Sequence, residues 1–175
     1  DCPYRSLMVD LARQWHPFET LSDYVDLCYL YKIKYLHLHF VDTQSYTLPS
    51  DVFPAVSTPE RHYTKAQIRA LNAYARSRGV ELIPEFEVPG HARAMVRAYP
   101  TLFAHTPLQA GEQVSDNIVC VGKPDLMENL QKLIVLQVIK LGKDASVGKQ
   151  LLTRAAFHDP AAVHGHNAVA VGKGR

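Results

Sequence analysis

Three short apolar runs, separated by helix-period segments and each leading into polar side chains, limit the folds open to this chain. The runs are Ser6–Leu11 (SLMVDL), Tyr35–Val41 (YLHLHFV) and Val80–Phe86 (VELIPEF). They are short and rich in aliphatic and aromatic residues, which predicts strands. Over Thr20–Tyr31, Leu21, Tyr24, Val25, Cys28 and Tyr31 recur at or near three- and four-residue steps, which predicts a helix with one apolar stripe. Thr20 is its expected N-cap, with Asp23 favouring the helix start. Thr64-Lys65-Ala66-Gln67 reads as a capping box, opening a helix that runs to Arg78 and stops at Gly79. A short helix is expected near Ala92–Ala98 and a last one over Asp125–Leu141. Strand and helix therefore alternate three times, which predicts a parallel sheet with right-handed crossovers. Doubly wound and barrel folds both satisfy that order. Pro84 is out of place if its strand is central.

Composition narrows the function classes. The 175 residues carry a formal net charge of +2, which does not point to nucleic acid. No GxGxxG follows the first strand and no GxxxxGK[ST] occurs, so nucleotide phosphate binding has no support. No basic-then-apolar leader and no apolar run of membrane-span length is present, so a membrane partner is not expected and the compartment stays open. Cys2, Cys28 and Cys120 are widely spaced, without a CxxC pattern, and read as free or buried thiols.

The residues able to carry chemistry gather after the strands. Arg5 and Arg13 bracket the first one, and a guanidinium can donate paired hydrogen bonds to hydroxyls or a carboxylate. His37 and His39 share one strand face, with Asp42 just beyond. Such a set could hold a divalent metal or brace a loop. Glu85 and Glu87 close the third run and His91 follows a Pro-Gly turn. Carboxylates two residues apart on one strand are poorly placed to flank a scissile bond, and suit orienting a hydroxyl or His91 better. His158, His164 and His166 form a second, weaker candidate for metal.

Taken in order, R-x-x-x-x-D-x-x-R at the first strand, H-x-H-x-x-D-x-Q at the second and P-E-x-[DE]-x-P-G-H at the third form a specific pattern. Over Tyr4–Ile134 the chain resembles the β-N-acetylhexosaminidases of glycoside hydrolase family 20. The resemblance implies an α/β fold, the first three βα units of a (β/α)8 TIM barrel, since a whole barrel takes ~250 residues. It implies retaining hydrolysis of terminal N-acetylhexosamine from a glycan, with the substrate's own acetamido oxygen as nucleophile and no metal or organic cofactor. An Asp orients the acetamido group and the adjacent Glu is the general acid/base. By position, Arg5, Asp42 and His91 correspond to substrate-binding residues and Arg13, His39 and Glu87 to supporting ones, and Glu85, from its place on the strand, is expected to support them too.

The departures concern the reaction itself. Thr43 stands where a second Asp is usual, while Tyr46 keeps an aromatic. No Asp-Glu dipeptide occurs in the sequence, so no general acid/base is assigned and the chain is expected to be inactive alone. A non-catalytic sugar-binding remnant and a metal-dependent hydrolase centred on His37 and His39 are the alternatives. Residues 142–175 hold five of the nine glycines and sum to +3, against −1 for residues 1–141. Residues 1–134 are therefore expected to be barrel sequence. Residues 135–175 are expected to be a poorly ordered, non-family tail, of the kind a frameshift or fusion produces.

Overall fold

The computed structural model describes residues 2, 4–105 and 114–140, the last six of these by backbone alone. Strands β1 (Ser6–Asp10), β2 (Tyr35–His39) and β3 (Glu81–Glu85) form one parallel sheet in the order β1-β2-β3. Helices α1 (Phe18–Leu30) and α2 (Lys65–Ser77) are the two crossovers. After β3 come α3 (Arg93–Ala98), α4 (Pro100–Phe103) and α5 (Leu126–Lys140). The backbone of α5 continues past Ile134, and the expected tail from residue 141 onward, with its three histidines, lies outside the described residues.

One face of the sheet is apolar because the strands alternate. Leu36 and Leu38 of β2 are buried with Val9 and Leu82 of the flanking strands. The helices supply Leu21, Val25 and Cys28 from α1 and Ile68, Leu71 and Ala75 from α2. Each large aliphatic side chain buried there contributes ~1.5–3 kcal/mol before entropy is counted. The residues between them point the other way, and register lines them up. Met8, His37 and Ile83 form one row, and Asp10, His39 and Glu85 the next, at the C-terminal end of the strands.

Helix starts follow local chemistry in one case and not the other. The Thr64 side chain accepts from Gln67 N at 3.2 Å, and Gln67 Oε1 accepts the Thr64 N–H at 2.8 Å, so the capping box is complete. Thr20 is not the cap of α1. The helix begins at Phe18 after Pro17, and the Thr20 N–H already donates to the Pro17 carbonyl. Proline at that position gives up no donor, and starting two residues earlier lets Phe18 pack against the core. Tyr31, expected in the apolar stripe, caps the other end and is exposed.

Pro84 has a simple account. Glu81 N donates to Lys34 O on the β2 side, so alternation turns the Pro84 nitrogen away from β2. Among the described residues β3 pairs with β2 alone, and the missing N–H faces its other edge. The three cysteines are free thiols, exposed at Cys2, buried at Cys28 and intermediate at Cys120. No helix among the described residues is long and apolar enough to cross a membrane.

Candidate functional site

The row Asp10–His39–Glu85 meets the loops after β1, β2 and β3 at one place, and Asp42 is its centre. The Asp42 side chain is 2% exposed. Its Oδ1 accepts the Thr43 backbone N–H at 2.6 Å, and its Oδ2 lies 2.9 Å from His39 Nε2 and 2.5 Å from Arg13 Nη2. The other arm of the Arg13 fork lies 2.6 Å from Asp10 Oδ2, so one planar guanidinium bridges two carboxylates. Asp10 Oδ1 also accepts the Ala12 and Arg13 backbone N–H groups at 3.1 and 2.9 Å, which bends the chain out of β1 and carries Arg13 over the sheet end.

His39 is 3% exposed and stands between two carboxylates. Its Nδ1 lies 3.1 Å from Glu85 Oε1, a charge contact whose angle falls short of a full hydrogen bond. Glu85 Oε2 is 2.6 Å from His37 Nε2, also off-angle, so Glu85 sits between the two imidazoles. Glu87 pairs instead with His91 Nδ1, which lies 3.8 Å from Asp42 Oδ2. His91 has φ +52°, an uncommon conformation for a residue with a Cβ, and the turn holds it facing the cluster. The segment Ser115–Cys120 braces that turn: Ala92 N donates to Asn117 O, Val119 N to Pro89 O, and the Thr43 hydroxyl to Asn117 Oδ1.

The titrations follow from these contacts. Burial alone would pull the His39 pKa down, but the Asp42 hydrogen bond and the Glu85 charge outweigh it and hold it above its ordinary 6.5. Burial would raise Asp42, yet the His39 and Thr43 hydrogen bonds and the Arg13 charge hold it below its ordinary 3.8. Asp10 is likewise held low against burial by the Arg13 backbone N–H and guanidinium. His39 therefore binds its proton more tightly folded than unfolded. That stabilisation is complete below 6.5 and is lost as pH rises through the higher folded value. The aspartates contribute fully above 3.8 and lose their contribution as pH falls through the lower folded values. Urea midpoints measured from acid to mildly alkaline pH are expected to be highest between about 4 and 6.5 and to fall on both sides. A midpoint that keeps rising above neutral pH would mean His39 is not held as an imidazolium.

The sequence candidates divide clearly. Arg13, His39, Asp42, Glu85, Glu87 and His91 come together. Arg5 does not: it precedes β1, is exposed, and its carbonyl accepts the Tyr35 N–H at the N-terminal end of the sheet. The five residues of β1 put it ~16 Å along the strand from Asp10, at the wrong end for this cluster. Asp10 belongs to the site and was not singled out from the sequence, although the D-x-x-R step was a signal for it. Among the described residues, His39, Asp42 and Glu87 offer ligand atoms within 4.8 Å of one another, a set that omits His37. The Arg13 guanidinium already occupies Asp42, and a divalent cation would meet its positive charge there, so the residues present do not fit a metal.

Known proteins place this geometry in context. The β-hexosaminidase of Akkermansia muciniphila is 31% identical over 193 aligned residues, covering 90% of this chain and 39% of its own length. The family 20 β-N-acetylhexosaminidase of Streptomyces coelicolor superposes with a TM-score of 0.68 at 30% identity, over 79% of this chain and 31% of that one. The Vibrio harveyi exo-β-N-acetylglucosaminidase in complex with N-acetylglucosamine gives 0.68 at 25% identity, over 78% and 25%. This chain thus spans two-fifths or less of the length of these relatives. The family model for the glycosyl hydrolase family 20 catalytic domain matches residues 2–147, running past the Ile134 limit of the resemblance drawn from the motifs. With most of its length inside that match, the chain belongs to glycosyl hydrolase family 20.

Proposed function

We propose that this chain is the opening part of a β-N-acetylhexosaminidase barrel, its first three βα units, forming one wall of the pocket for a terminal N-acetylhexosamine and not hydrolysing it alone. The observation that carries this reading is the state of Arg13. Its side chain is half exposed, while both arms of the fork are set by buried or partly buried carboxylates. A guanidinium fixed in this way can offer its remaining N–H donors to adjacent hydroxyls of a sugar without losing its own geometry. His91, 42% exposed and set by Glu87, presents the second polar group on the same side. Asp42 has no free edge, so its part is to hold Arg13 and His39. Of the two arginines, Arg13 takes the sugar-binding role that the motif match had given to Arg5.

The reaction implied for the family needs an Asp to orient the acetamido group and a Glu to protonate the leaving oxygen. A proton donor must lie within ~2.6–3.2 Å of that oxygen. The sequence has no Asp-Glu pair, and the carboxylates of the cluster are engaged with Arg13, His37, His39 and His91. The purified chain incubated with a chromogenic β-N-acetylglucosaminide is expected to release chromophore at the uncatalysed rate. Calorimetry with N-acetylglucosamine is expected to show binding that Arg13→Ala weakens. Turnover above background would overturn the assignment of the missing acid/base. Absence of any sugar binding would remove the pocket-wall role. A non-catalytic sugar-binding protein, the second reading, rests on the same two exposed groups and differs in needing no further chain.

A further inference from the structure

We infer that Arg61, in the loop between β2 and α2, is a positioning residue that sets where Arg13 presents its guanidinium. The inference rests on the reading of Arg13 as the sugar-facing arm. Arg61 Nη2 donates to the Ala12 carbonyl at 3.2 Å and to the Arg13 carbonyl at 3.4 Å. Its Nε is buried with no hydrogen-bond partner, and among the described residues no carboxylate pairs with it. A buried N–H left without an acceptor is costly, and no salt bridge holds this half-buried side chain. What it does hold is the chain segment carrying Arg13.

That segment is gripped from both sides. Asp10 Oδ1 takes the backbone N–H groups of Ala12 and Arg13, and Arg61 takes the carbonyls of the same two residues. The Ser45 hydroxyl adds a 2.6 Å bond to the Ala12 carbonyl only. Arg61 itself stands on a stiff base. Its N–H donates to Thr58 O, Thr58 N donates to Tyr46 O, and Tyr63 N donates to Thr47 O. Tyr63 also stacks on Trp15 at 4.4 Å and its hydroxyl donates to His16 O, which pins the far side of the Arg13 loop. Losing the Arg61 grip frees the Arg13 peptide on its carbonyl side, and the guanidinium can then follow Asp10 and leave Asp42.

The experiment uses the full chain and the substitution Arg61→Met, which keeps the apolar stem and removes the donors. Two readouts are followed: the titration of His39 by imidazole NMR, and N-acetylglucosamine affinity by calorimetry. His39 faces Asp42, Glu85 from β3 and Asp10 from β1, with Arg13 as the nearby positive charge. With Arg13 withdrawn from Asp42, His39 is expected to titrate at higher pH than in the unsubstituted chain, and sugar affinity to fall about tenfold. Arg61→Lys reaches one carbonyl at a time and is expected to fall between. Ser45→Ala, which leaves the Arg13 carbonyl held, is expected to leave the His39 titration in place. A folded Arg61→Met chain whose His39 titrates as before overturns the inference. If that variant does not fold, Arg61→Lys titrating as the unsubstituted chain does the same. A Ser45→Ala shift as large as that of Arg61→Met also overturns it, since general loop loosening would then suffice. If the unsubstituted chain binds no sugar but Arg61→Met still moves His39, the sugar reading fails and the positioning of Arg13 stands.

Discussion

Asp42→Asn is expected to destabilise the fold by about 2 kcal/mol at pH 5, read as a lower urea midpoint with an unchanged slope. The substitution keeps the shape and removes the charge at the centre of the cluster. The new amide can still accept the Thr43 N–H, but its NH2 group would face the Arg13 and His39 donors. Breaking a fully buried ion pair costs ~3–5 kcal/mol. The smaller figure applies because the Arg13 side chain is half exposed and finds water. His39 can also shed its proton and accept from the amide. The difference from the unsubstituted chain is therefore expected to shrink as pH rises and His39 becomes neutral in both. Equal midpoints at pH 5 would show that Asp42 is not the hub of the site.

Phe103→Ala is expected to cost more, about 3–5 kcal/mol, a large share of the stability of a domain this size. Phe103 has no exposed surface and meets the Phe53 ring edge-on at 5.7 Å. Its carbonyl accepts the Cys120 N–H at 2.7 Å, so α4 anchors the segment that braces the His91 turn. The loss is expected to be local before it is global. In hydrogen exchange, the amides of Ala92, Val119 and Cys120 are expected to lose protection ahead of those in β2. Unchanged exchange at Ala92 would show that the turn is held without α4. Because His91 adopts a left-handed backbone conformation, loosening this brace also removes what keeps its imidazole beside Asp42.

What the sequence determined on its own is what depends on near neighbours in the chain. The alternating strands, the capping box at Thr64 and Gln67, and the motifs that carry family membership all rest on spacings of a few residues. They are legible because period and cap chemistry act over one or two turns. Where a longer-range term competes, the local rule yields: Thr20 loses the cap to Pro17, and the earlier start packs Phe18 against the core.

The site is a different matter, because it depends on register. Asp10, His39 and Glu85 are far apart in sequence and become neighbours only because three parallel strands pair at one offset. That offset also sends Arg5 to the far end of the sheet and Arg13 to the cluster, a choice two similar arginines in one motif could not express. Asp42 and His91 could be marked from the sequence as polar groups at strand ends. Only the tertiary structure decided that Asp42 is buried with both oxygens engaged while the Arg13 and His91 side chains stay partly exposed. Burial and hydrogen-bond saturation are set by what other segments bring, and no local spacing encodes them.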